Sequence, residues 1–245
     1  MILKKPIVLV SIPKSGTNVL LKFFSQYPNY ESVSPKFGYT SSDVDDIRLG
    51  EFISKLQPGQ VYWSHLTYSK HRLEIMKKYN IALVFLYRDP RDILCSMAHY
   101  YGTNSKSGNP YTVFLKEETS IQDKIRKLLI GNSDKLTIGN DSIPAFSRYI
   151  KNYVGWLYED EYVFNVSYED IIHSKKRLKI LIRLQAYIKG ISWRILINNY
   201  FFGIPKTTRT FRKGESGGYL KEFNEDLYNL YEVDRDIYKE FEFKS

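Results

Sequence analysis

Between Ile7 and Ile12 the chain is apolar and rich in β-branched residues; it then breaks into Pro13-Lys14-Ser15-Gly16-Thr17 before a second apolar cluster of Val19, Leu20, Leu21, Phe23 and Phe24. A strand that is apolar on both faces belongs inside a parallel sheet, because helices must cover both sides of it. The cluster beyond the turn reads as a helix face. A buried strand feeding a helix through a short polar turn is half of a strand-helix-strand unit, so this segment commits the chain to an α/β fold.

The rest of the chain repeats the pattern. Pro58-Gly59 turns into a second strand candidate, Val61 to His65, and Leu73, Ile75, Met76 and Tyr79 fit a helix. Ile81 to Tyr87 is the next strand, and this order implies a right-handed parallel crossover. Pro90 is placed to start a helix carrying Ile93, Leu94, Met97 and Tyr101. Ser142 is positioned to cap a helix through Ile143, Phe146, Ile150, Val154 and Leu157, and Tyr162 to Val166 reads as a further strand. Leu178 to Phe202 reads as broken helices, and a terminal helix uses Leu227, Leu230, Tyr231 and Ile237. Residues 32–58 read as loop leading to a short helix around Ile47 to Leu56. Residues 102–141, dotted with Gly and Asn around a short basic helix at Ile125 to Ile130, read as a pocket wall or lid rather than a domain.

A length of 245 residues suits one core, so the expectation is a single domain over 1–245 with a variable loop or lid at about 102–141. A formal charge of +9 favours anionic partners. The basic residues are scattered and match no nucleic-acid reader, so no nucleic acid is expected. One cysteine, Cys95, excludes an internal disulfide, and the four histidines have no usual zinc spacing; no metal is expected. The run at Ile7 to Ile12 is too short for a spanning helix and lacks a small-residue cleavage box, which favours a cytoplasmic protein. Trp193, Tyr200 and neighbouring basic residues leave a peripheral membrane contact open.

Three segments can bind an anion. In Lys14-Ser15-Gly16-Thr17 the helix start offers unpaired N–H groups, Lys14 a cation, Ser15 and Thr17 hydroxyls, and Gly16 close backbone approach. The spacing is not that of the common phosphate-binding loop, which carries its lysine at the far end of a longer glycine-rich stretch. Arg88, at the end of a strand, is followed eight residues later by the Ser96 hydroxyl; alternatively Arg88 pairs with Asp89 or Asp92. Arg212-Lys213-Gly214 precedes the flexible Ser216-Gly217-Gly218. Ligands of open parallel sheets sit beyond the carboxyl ends of the strands, so the first two segments converge if their strands are neighbours.

In this order the residues resemble the sulfotransferases that use 3'-phosphoadenosine 5'-phosphosulfate (PAPS), and the resemblance spans most of the chain. It implies a P-loop-like nucleotide-binding sulfotransferase fold: a central, mostly parallel sheet flanked by helices. Pro13 to Thr17, with Asn18, resembles the family's 5'-phosphosulfate loop, Arg88 to Ser96 its 3'-phosphate element, and Arg212-Lys213-Gly214 its late cationic segment. By the same resemblance His65 is the catalytic base, Lys14 stabilises the transferring group, and Tyr168 lies by the nucleotide. The implied cofactor is PAPS, leaving as 3'-phosphoadenosine 5'-phosphate (PAP). The implied partner is a hydroxyl-bearing small molecule, lipid or carbohydrate.

This chain departs from the familiar pattern in three places. Trp63 replaces a lysine two residues before His65, Val19 replaces an adenine-stacking tryptophan, and Gly218-Tyr219 follows Gly217 where the family carries Asp-Trp. The chemistry of the anion segments also fits a nucleotide-dependent kinase or phosphotransferase, or a non-catalytic binder of nucleotide or acidic polymer.

Overall fold

A computed structural model describes residues 2–34, 45–103, 108–133, 142–159, 161–188, 192–202 and 216–242. In chain order its elements begin β1 (Ile7–Ser11), α1 (Thr17–Phe24), β2 (Glu31–Val33), α2 (Asp46–Ile53), β3 (Gln60–Ser64), α3 (Lys70–Lys78) and β4 (Ala82–Tyr87). Helices α4 (Pro90–Thr103), α5 (Pro110–Leu115), α6 (Ile121–Ile130), α7 (Phe146–Lys151) and α8 (Val154–Leu157) precede β5 (Val163–Ser167). After it come α9 (Tyr168–Ile172), α10 (Ser174–Tyr187), α11 (Trp193–Phe202), a 3-10 turn (Gly218–Lys221), α12 (Glu225–Val233) and α13 (Arg235–Tyr238). The chain divides into two compact units, one of Met1–Tyr87 with Tyr153–Gly214 and one of Arg88–Asn152 with Glu215–Ser245.

The first unit holds the sheet, in the order β2-β3-β1-β4-β5, and every pairing is parallel. β1 is the middle strand, as its apolarity requires: Ile7, Val8, Leu9 and Val10 are wholly buried. Each such side chain contributes roughly 1.5–3 kcal/mol by leaving water. Ile7 stands beside Val61 on β3 and Ala82 on β4, so the register places the carboxyl ends of the three strands together. β1 and β4 are therefore neighbours, and the crossover from β3 to β4 passes over β1. On the sheet, Leu20, Phe23 and Phe24 of α1 pack with Val166, Ile171, Leu181 and Leu184 into one cluster.

The second unit is helical. Ile93, Leu94 and Met97 of α4 are buried, as are Leu115, Ile125, Leu128, Phe146, Ile150 and Leu227. Tyr231 stacks on Tyr238 with ring centroids 4.2 Å apart.

The sequence expectation changes in three places. β2 falls within a stretch read as loop; it is a three-residue edge strand, with Glu31 and Ser32 exposed, so no hydrophobic pattern announced it. Ser142 caps no helix: its hydroxyl donates to Ser133 at 2.6 Å, a bridge joins Ser133 to Pro144, and α7 starts only at Phe146. Within the stretch read as a pocket wall or lid, regular packing is more extensive than the one short helix expected: α5 and α6 bury Tyr111, Leu115, Ile125 and Leu128.

Candidate active site

At the end of β1 the chain makes a turn with two left-handed residues, Lys14 at φ 70° and Gly16 at φ 96°. Gly16 is the N-cap of α1 and has no side chain to bond the first N–H groups of the helix, which therefore form the positive end of its dipole beside the turn; the Ser15 N–H closes the turn onto the Ile12 carbonyl at 3.1 Å. A side chain at Gly16 would run into the ring of Tyr168. Tyr168 is buried and belongs to the core cluster, so it backs the turn from below. Ser15 is buried, and its Oγ makes no hydrogen bond within the protein. A buried hydroxyl without a partner costs about 1–3 kcal/mol, which a bound anion would recover. Together the uncapped helix start, the unsatisfied Ser15 hydroxyl and Lys14 fit the phosphate end of a nucleotide. Thr17 stands at the start of α1, partly buried, and Asn18 is exposed.

His65 follows β3 directly. Its Nδ1 lies 2.7 Å from the carbonyl oxygen of Ser11 and 3.2 Å from the Ser11 hydroxyl. A carbonyl oxygen only accepts, so Nδ1 carries the proton and Nε2 is the basic nitrogen of the neutral ring. Burial pushes the His65 pKa down; the bond to the Ser11 carbonyl opposes this, and the Lys14 charge adds to the lowering. Burial thus favours the neutral ring, the form a base needs. Trp63 lies edge-on to it, with ring centroids 5.8 Å apart, so the departure from lysine supplies an apolar wall.

The backbone carrying His65 is pinned from behind. Tyr153 donates to the His65 carbonyl and Trp156 to the Leu66 carbonyl, each at 3.0 Å. Arg72, on α3, donates to Asp46 at 2.8 Å and to the Thr67 carbonyl at 3.0 Å. These anchors, and Ser11, are site residues that the sequence reading missed. Ser11 offered one signal: a lone hydroxyl at the carboxyl end of an otherwise apolar central strand.

In the second unit Arg88 approaches Asp92, Nη2 to Oδ2 being 3.6 Å, so the alternative pairing considered for Arg88 is realised with Asp92. Asp89 pairs instead with Arg91, at 2.9 Å to Nε and 2.6 Å to Nη2. Ser96 stands one turn beyond Asp92 on α4 and is partly exposed. The buried Asp92 carboxylate also accepts the N–H groups of Gly217 at 2.9 Å and Tyr219 at 3.2 Å. Asp92 thus holds the stretch from Gly217 to Tyr219 from α4. Arg91 stacks over the Tyr219 ring at 4.2 Å, and His99 meets Glu222 at 2.8 Å. Arg212, Lys213 and Gly214 lie outside the described residues.

The structure therefore brings Lys14, Ser15, Gly16, Thr17, His65 and Tyr168 together in the first unit, and Arg88, Asp92 and Ser96 in the second. A parallel α/β sheet with an uncapped strand-turn-helix and a neutral histidine at adjacent strand ends defines a class, the group-transfer proteins that grip an anion at a helix start. The sulfotransferase domain family matches residues 4–178, and the chain belongs to that family. No curated protein matches it by sequence. Among solved structures it is similar to a mouse sulfotransferase complexed with PAP, at 18% identity and a TM-score of 0.62, covering 97% of this chain and 89% of that one. It is also similar to retinol dehydratase in complex with retinol and PAP, at 14% identity and a TM-score of 0.58, covering 99% of this chain and 83% of that one. A second retinol dehydratase structure, with androsterone and inactive cofactor PAP, gives 15% identity and a TM-score of 0.58 over 98% and 82% of the two chains. At these identities the likeness carries the fold.

Proposed function

We propose that the protein moves a sulfuryl group from PAPS to an acceptor hydroxyl by in-line transfer, with His65 as the base. The observation that carries this reading is the His65 Nδ1–H bond to the Ser11 carbonyl, which leaves Nε2 basic in the same unit as the anion-binding turn. Family membership and the PAP held by the three similar structures support it.

When bound, PAPS supplies the electrophilic sulfur and a phosphate leaving group. Lys14 and the N–H groups of Gly16 and Thr17 stabilise the negative charge on that side of the reaction, while the Ser15 N–H closes the turn onto the Ile12 carbonyl. His65 takes the acceptor proton on Nε2 as the hydroxyl oxygen attacks. By the family resemblance Arg88, Ser96, Arg212, Lys213 and Gly214 hold the 3'-phosphate, while Tyr168 keeps the turn in place from below. Protein cations supply the positive charge that magnesium provides in many phosphoryl transfers.

The acceptor class we favour is a small apolar alcohol or a lipid, in keeping with the apolar wall that Trp63 adds beside His65. Among the described residues no helix is long and apolar enough to cross a membrane. Exposed Trp193 and Ile197, one turn apart on α11, support contact with a lipid surface.

The test separates the two roles. With PAPS and a panel of hydroxyl acceptors, His65→Ala lowers kcat by about 100-fold or more while PAP affinity holds, whereas Arg88→Ala weakens PAP binding first. Equal loss of both properties in both folded variants would refute the division.

A further inference from the structure

We propose that Ser11 is a positioning residue that couples the orientation of the Thr17 hydroxyl in the anion-binding turn to the state of the His65 ring. The catalytic meaning of this link rests on the reading of His65 as base; the link itself does not.

Ser11 ends β1 and is wholly buried. Its hydroxyl lies 2.7 Å from Thr17 Oγ1 and 3.2 Å from His65 Nδ1, and its carbonyl lies 2.7 Å from that same nitrogen. One residue therefore touches both the turn and the ring, which are 48 positions apart in the chain. The proton arrangement follows from what each atom can do. Nδ1 must donate, because the carbonyl only accepts. The Ser11 hydroxyl then meets a nitrogen that already bears hydrogen, so its own proton turns toward Thr17 Oγ1. Thr17 is left with a proton of its own to give.

An anion in the turn that accepts from the Thr17 hydroxyl selects that last orientation. With Thr17 donating to the anion, Ser11 donates to Thr17 and turns its lone pairs toward Nδ1–H. In the reverse arrangement Thr17 donates to Ser11, and the Ser11 proton is released toward His65, opposing Nδ1–H. Anion binding and the base-competent ring thus favour each other, and the effect is reciprocal.

The experiment is an NMR titration of His65 in the ligand-free protein, comparing Thr17→Val, Thr17→Ser, Ser11→Ala and the double variant Ser11→Ala/Thr17→Val. Thr17→Val and Ser11→Ala each lower the His65 midpoint by about 0.5 pH units, the size of one modest hydrogen bond to the charged ring. Thr17→Ser leaves it in place, and Thr17→Val has no further effect once the Ser11 hydroxyl is gone. The proposal falls if Thr17→Val leaves the midpoint unmoved, or moves it equally with and without that hydroxyl. Should Ser11→Ala fail to fold, Thr17→Val against Thr17→Ser decides alone. A wild-type protein that shows this pattern but forms no sulfated product would overturn the proposed function and leave the Ser11 link standing.

Discussion

Replacing Gly16 with alanine isolates the physical demand that the anion-binding turn makes on the chain. Two terms oppose the change. The residue sits at φ 96°, a left-handed conformation that costs an L-residue roughly 1–2 kcal/mol. The new methyl also meets the ring of Tyr168, a buried side chain of the core cluster. Overpacking of this kind costs about 1–3 kcal/mol. The two together come to about 3 kcal/mol, and for a chain of this size each kcal/mol lowers Tm by about 2–4 °C, so Tm should drop by about 6–12 °C. Thermal and urea unfolding measure the loss, and calorimetry of PAP binding should show at least a tenfold weaker Kd as the turn shifts.

Tyr168→Leu separates the terms. In the double variant the clash is relieved while the dihedral cost stays, so the destabilisation should fall short of the sum of the single changes by about 1–3 kcal/mol. A Gly16→Ala protein as stable as wild type would refute the reasoning, as would strict additivity with Tyr168→Leu.

Other expectations follow from neighbouring contacts. Asp92→Ala removes a buried acceptor of two N–H groups and should cost about 2–4 kcal/mol; hydrogen exchange should quicken at the Gly217 and Tyr219 amides and stay unchanged in β1. Trp156→Phe deletes the buried bond to the Leu66 carbonyl, which should cost about 1–3 kcal/mol and lower kcat more than it raises donor KM. Because the His65 pKa is depressed, the acid limb of kcat/KM should lie below pH 6.5, the ordinary histidine value. The stability linkage has the matching sign: the contribution is intact above pH 6.5 and is lost as pH falls from there through the depressed folded value, and His65→Gln abolishes that loss. Lys14→Met removes one of the lowering influences, so an NMR titration should find the His65 midpoint raised.

The most legible elements in the sequence are those buried along almost their whole length. β1 and β4 announce themselves as apolar runs, because parallel strands covered on both faces cannot alternate; β5, at the edge of the sheet and half-buried at Phe164 and Asn165, shows through its β-branched and aromatic residues. β2 is short and its first two residues are exposed, so its pairing with β3 is decided by tertiary contact alone. The cap expected at Ser142 failed because local capping preference competes with the bridge from Ser133 to Pro144. Within the candidate site, Lys14 to Thr17 could be read as an anion-binding turn from residue type and order, and His65 only through the family resemblance. Ser11, Tyr153 and Trp156 could not, since their roles are long-range bonds to His65 or its neighbour. Asp92 was seen only as a partner for Arg88; its grip on Gly217 and Tyr219 spans 125 and 127 positions that no local pattern connects.

The proposed activity requires that the nucleotide bound at Lys14 to Thr17 donate sulfuryl, not phosphoryl, groups. Its most direct measurement incubates the wild-type protein with PAPS carrying labelled sulfur, alongside ATP carrying a labelled terminal phosphate, over one panel of hydroxyl acceptors. We expect labelled sulfur in an acceptor product, none of the labelled phosphate, and loss of the sulfated product in His65→Ala. Transfer of the phosphate label, or binding of PAPS with no sulfur transferred to any acceptor, would contradict it.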